Sequence, residues 1–79
     1  MSKVNKHITV ALKNTFPKSR IPKKIDNLKI GDLKQWDSLG NFNLLLEIEK
    51  ILNCRFNTKS FNQIKSVKDI KEFLKKSGN

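Results

Sequence analysis

The sequence has one cysteine, one histidine and no tyrosine in 79 residues. A lone thiol, Cys54, makes no internal disulfide, and one thiol with one imidazole is too few soft ligands for a structural metal site. No metal is expected, and the fold must stand on packing alone. Acidic residues are also scarce, with 7 Asp and Glu against 17 Lys and Arg for a net charge of +10. That imbalance favours a nucleic acid, an anionic membrane or an acidic protein as partner without choosing among them. No block of Lys and Arg interleaves with aromatics, as a single-strand binding surface would require. No apolar run is long enough to span a bilayer. The opening MSKVNKHITVALKNTF alternates charge with apolar residues instead of building a signal peptide's apolar block, so a cytoplasmic protein is expected.

What is present is helical periodicity. Within residues 3 to 16, Val4, Ile8, Ala11, Leu12 and Phe16 share one helical face, with Ser2 available as N-cap and Pro17 as stop. From Pro17 to Trp36 the period fails, and Ile21, Ile25, Leu28, Ile30 and Leu33 are scattered among lysines, Pro22 and Gly31. This predicts a long loop pinned to the core. Asp37 then opens a second helix as N-cap, running to about Leu52. The pattern breaks over Asn53 to Thr58. Phe61 and Ile64 suggest one short turn of helix. Ser66 and Asp69 form a capping box for a last helix through Val67, Ile70, Phe73 and Leu74, ended by Gly78 and Asn79. No strand-like alternation or repeat occurs. The expected fold is a single all-α domain of three main helices plus a short one.

The second helix is apolar on two sides. At 100° per residue Leu44, Leu45, Ile48, Ile51 and Leu52 fill one broad arc, and Leu39, Phe42 and Leu46 lie roughly opposite. Only one arc is needed for a core, so the narrower stripe reads as an exposed apolar face, unless the helix is central and buried on both sides. Ser38 lies at the edge of that stripe. A nucleophilic Ser38 would need a base within reach, and His7, on the first helix, has no sequence feature orienting it. No catalytic residue is expected. A serine at a helix N-terminus is better placed to carry a phosphate ester, because free amides and the helix dipole favour the negative charge.

Asp37-Ser38-Leu39, a helix continuing Leu44-Leu45-Leu46-Glu47-Ile48-Glu49, the turn Asn53-Cys54-Arg55-Phe56, the short Phe61-to-Ile64 element and the closing Ser66-Val67-Lys68-Asp69-Ile70 together resemble an acyl carrier protein. The resemblance covers nearly the whole chain, the long loop included. It implies 4′-phosphopantetheine on Ser38, installed from coenzyme A by a separate phosphopantetheinyl transferase, with acyl or aminoacyl cargo held as a thioester on the arm's thiol. Asp37 would help the metal-dependent transferase engage the site. Leu39, Phe42, Leu46 and Glu47 would meet the partner enzymes that load, condense or transfer the cargo. The carrier itself would perform no chemistry, and a monomer is expected. Trp36-Asp37-Ser38-Leu39-Gly40, with Asn43-Leu44 following, resembles free-standing carriers of specialised pathways, and Asp37-Ser38 with Gly40 and Leu44 to Glu47 also resembles D-alanyl carriers. Unlike the acidic carriers of fatty acid synthesis, this helix keeps only Glu47 and Glu49, with Gly40, Asn41 and Asn43 where carboxylates are usual. Partners with neutral or acidic docking surfaces are therefore expected.

Other readings stay open. Trp36 either packs on its own helix or contacts a partner or the arm; the staple partner would be Asn41, which is polar and weakens the packing reading. Cys54 reads as a buried filler and His7 as a surface residue. Lys65, Lys68, Lys71 and Lys75 form a basic stripe, which supports an alternative function as a small module binding nucleic acid or anionic lipid.

Overall fold

The computed structural model describes residues 3–77. Four helices follow in order: α1 (Lys3–Thr15), α2 (Ser38–Leu52), α3 (Thr58–Gln63) and α4 (Val67–Ser77). The chain is thus an all-α bundle of three main helices and one short one, with a long connection between α1 and α2. Among the described residues no strand forms. The proposed cap Ser2 and the terminal Gly78 and Asn79 lie outside the described residues.

Each helix start has a local cause. Asp37 sits in extended backbone and its Oδ1 accepts from the Gly40 amide at 2.8 Å, occupying one of the donors that a helix leaves free. At α4, Ser66 Oγ accepts from the Asp69 amide at 3.0 Å, while Asp69 Oδ2 reaches back to the Lys65 amide at 3.0 Å. The capping box therefore forms, with its return arm one residue earlier than the usual pairing. The short helix begins before the expected turn. Asn57 accepts from the Ser60 amide and caps a helix from Thr58, so the break after α2 ends sooner than the sequence suggests, and Ile64 is the residue that closes α3. At the end of α2, Asn53 adopts the left-handed conformation (φ 53°), which an Asn tolerates better than most residues.

The core gathers Ile8, Ala11 and Leu12 from α1, Leu44, Leu45 and Ile48 from α2, and Val67 and Ile70 from α4. Each buried Leu, Ile or Val among them contributes about 1.5–3 kcal/mol of burial. Ile51 and Leu52 pack against this cluster but stay partly open. The connection from residue 16 to 36 is pinned as expected: Phe16, Ile25, Leu33 and Trp36 are buried, and Ile21, Leu28 and Ile30 are half-buried against the core. Backbone bonds add to the anchoring. Ile30 donates to the Lys65 carbonyl and Val67 to the Leu28 carbonyl, around an isolated antiparallel bridge between Lys29 and Ser66. A loop with this many ties is a structured segment.

Two side-chain links hold the loop elsewhere. The Asp26 carboxylate accepts from Asn5 Nδ2 of α1 at 3.2 Å and from the Lys71 ammonium of α4 at 2.6 Å. The Lys71 contact is the main reason its carboxyl is held below the ordinary Asp range, with Asn5 adding to the effect.

Candidate functional site

The cap at Asp37 makes Ser38 the first residue of α2. Ser38 is exposed, and its hydroxyl makes no hydrogen bond among the described residues. It opens onto a groove of about 540 Å³ between α2, α3 and the loop, lined by Ile30, Asn41, Phe42, Thr58, Phe61, Asn62 and Lys65 as well as Ser38 itself. Its lining carries aromatic and aliphatic surface together with amides, hydroxyls and one ammonium group. Phe42 and Phe61, both lining the groove, pack against each other with ring centroids 4.9 Å apart. That contact continues through Phe56 to Phe73 of α4, so the exposed rim is braced against the interior.

The approach of α2 to its neighbours depends on Gly40. A Cβ there would collide with the Gln35 carbonyl oxygen and lie 2.9 Å from Phe16 Cε1. Glycine at this position lets the first turn of α2 sit directly on the preceding turn and on the end of α1. The sequence pointed to Gly40 only through a resemblance; its steric role needs the course of the loop.

Trp36 and Asn41 settle the question left open by the staple position. Trp36 is 1% exposed, so it is a packing residue. It stacks on Phe16 at 5.9 Å, and its indole Nε1 donates to Asn41 Oδ1 at 2.9 Å. Asn41 in turn donates through Nδ2 to the Ile64 carbonyl at 2.7 Å. The staple exists and is polar. Asn41 is the sole buried polar residue among the described residues, and both halves of its amide are used.

On the outer side of α2 the narrow stripe is open: Leu39 is 69%, Phe42 45% and Leu46 42% exposed, and Leu44, Leu45 and Ile48 are fully buried. The helix therefore has one face for the core and a second apolar face toward solvent. Val10 of α1 is also exposed. The acidic groups of this region are engaged internally. Asp37 caps Gly40, Glu47 accepts from Asn14 Nδ2 at 3.0 Å, and Glu49 accepts from the Phe56 amide at 2.7 Å.

The remaining candidates separate. His7 is half-buried instead of lying free on the surface. It is eight positions before Thr15, which lines a cleft with Asp37, so about 12 Å of helix lies between His7 and the neighbourhood of Ser38. Cys54 is half-buried rather than fully enclosed, and burial, with Glu49 nearby, pushes its thiol pKa up. In the basic stripe Lys65, Lys68 and Lys75 are exposed, but Lys71 is taken up by Asp26. Among the described residues no group of three or more His, Cys, Asp and Glu is placed to hold a metal ion, and no helix is long and apolar enough to cross a membrane. No family model matches the chain, and no match is found among curated proteins or solved structures.

Proposed function

We propose that this chain is a carrier protein that holds acyl or aminoacyl intermediates as thioesters on a 4′-phosphopantetheine arm attached to Ser38. The observation that carries the reading is the placement of Ser38: exposed, unpartnered, first in α2 and at the mouth of a groove. The residues present fit the group. Ser38 and Leu39 lie in the first turn, where amides lack helical partners and favour a phosphodiester, and the groove has both apolar surface for the arm's methylenes and the Asn62 side-chain amide for its peptide groups. In the modification the Ser38 oxygen bonds to the phosphorus that bears the pantetheine of coenzyme A. The pyrophosphate link breaks, adenosine 3′,5′-bisphosphate leaves, and the serine proton passes to a base of the transferase. The bound arm supplies the thiol that carries cargo. The chain's own residues position the serine through the Asp37 cap and present Leu39, Phe42 and Leu46 to the loading and transfer enzymes.

The test is intact mass after incubation with coenzyme A, magnesium and a broad-specificity phosphopantetheinyl transferase, beside Ser38→Ala. One added arm on the wild type and none on the variant is the expected result. Failure of folded wild-type protein to gain an arm from a panel of such transferases overturns the reading. Steeply salt-dependent binding to DNA or to anionic vesicles would then favour the basic-module alternative.

A further inference from the structure

We infer that the face built from α1 and residues 18–24 is a contact surface for an anionic phospholipid bilayer. This goes beyond the carrier reading and does not rest on it.

The positive charge of the chain is unevenly placed. Residues 3–24 hold seven cations, Lys3, Lys6 and Lys13 on α1 and four more between 18 and 24, without one carboxylate, and all seven are exposed. The last helix, by contrast, carries Asp69 and Glu72 among its lysines. On α1 the three lysines share the side opposite the buried Ile8, Ala11 and Leu12, with the exposed Val10 between them. The chain then returns along the helix. It leaves α1 after Thr15, and by Asp26 it is back beside Asn5, near the helix start, so the cations of the return lie alongside those of α1. The carboxylates at the border of this face, Asp26 and Glu47, stay charged, and two against seven leave a clear positive excess.

Apolar side chains lie within the same surface. Between α1 and α4 a cleft of about 360 Å³ is lined by Val4 and Leu74 together with Lys71 and Lys75. Aliphatic side chains beside ammonium groups match the layering of a phospholipid surface, with phosphate outermost and acyl chain beneath. A nucleic acid fits less well. Phe16, the one aromatic residue of this stretch, is buried, so no ring is offered for base stacking. Asn5 and Asn14, which could read base edges, are bonded to Asp26 and Glu47. Six of the seven cations are lysines, point charges without the planar fork of arginine. None of these residues lines the groove at Ser38, so a bilayer on this face leaves that groove uncovered.

The test measures binding of the full chain to vesicles of phosphatidylcholine alone, to vesicles of equimolar phosphatidylglycerol and phosphatidylcholine, and to a DNA duplex at the same concentration of anionic groups. The expected result is salt-sensitive binding to the mixed vesicles, none to phosphatidylcholine alone, and binding to the duplex at least about tenfold weaker. Two variants of equal net charge then locate the surface. Lys6→Glu, Lys13→Glu, Lys23→Glu and Lys24→Glu combined should lower vesicle affinity about tenfold or more, whereas Lys34→Glu, Lys50→Glu, Arg55→Glu and Lys59→Glu combined, on the side of α2 and α3, should lower it no more than about threefold. Circular dichroism checks that both fold; if the first does not, the same four positions changed to Gln should lower affinity by about threefold or more. No binding to the mixed vesicles, equal losses in the two variants, or a duplex bound as tightly as the vesicles would overturn the inference. Ser38→Ala should bind vesicles as the wild type does. An arm on Ser38 without vesicle binding sinks this inference alone, and vesicle binding without an arm sinks the carrier reading alone.

Discussion

The indole nitrogen of Trp36 lies 2.9 Å from the side-chain oxygen of Asn41, five residues further along the chain. This bond joins the residue before the α2 cap to the helix's own second turn, and the other half of the Asn41 amide holds the end of α3 through the Ile64 carbonyl. One buried side chain thus fixes two sides of the groove onto which Ser38 opens.

Asn41→Leu should destabilise the protein by about 2 kcal/mol, because it strands both the indole N–H and the Ile64 carbonyl away from water. Denaturant unfolding of Asn41→Leu, Trp36→Phe and the double variant measures the coupling, expected at about 1 kcal/mol. Strict additivity would mean that the bond contributes nothing to stability.

Gly40→Ala should cost about 1–3 kcal/mol through forced displacement of α2 from Phe16 and from the Gln35 carbonyl. The thermal midpoint checks it. An unchanged midpoint would show that the first turn of α2 has room to move.

Leu46→Asp should leave the fold intact, at a cost of about 1 kcal/mol or less, since the side chain is already 42% exposed. Its neighbour Leu45 is fully buried, and Leu45→Asp should cost more than about 4 kcal/mol, enough to unfold much of the population. Circular dichroism melts of the pair distinguish the two faces of α2; equal losses would place the stripe in the core.

The Asp26 clasp predicts an acid limb. Its carboxyl is held below the ordinary range, first by the Lys71 hydrogen bond and then by Asn5, so the folded chain favours the charged form. Such a group contributes its stability above the unfolded-state pKa and loses it as pH falls through the folded-state value. Wild type should therefore melt higher than Asp26→Asn at neutral pH, and the two midpoints should converge in acid. A difference independent of pH would mean that the carboxylate charge is not what holds the loop.

Most of the scaffold was legible because its causes are local. Asp37 marks the start of α2 within three residues of the amide it caps, and the 3.6-residue period separates Leu45 from Leu46 without reference to any other part of the chain. The polar staple was not legible. An asparagine at a staple position reads as a flaw in packing until its second partner, Ile64, is known to lie beside it. Asn57 was a readable cap, three residues before the amide it accepts from, but the polar run around it reads equally well as a break. The Asp26 link to Lys71 joins a loop to the last helix, and nothing near either residue indicates the other. At the site itself, the exposure of Ser38 and the apolar stripe followed from position on the helix. The groove did not, since it exists only where α3 comes to rest against α2.

The bridge between Lys29 and Ser66 sets an order of events. Its two strands of backbone are separated in the chain by the whole of α2 and α3, so forming it means closing a large ring and losing the corresponding chain entropy. The helices need only near neighbours and form in microseconds or less, whereas the clasp must wait for a distant segment to arrive. Refolding should thus show helical signal before the bridge closes, and a nick inside the ring, between residues 53 and 57, should slow that closure.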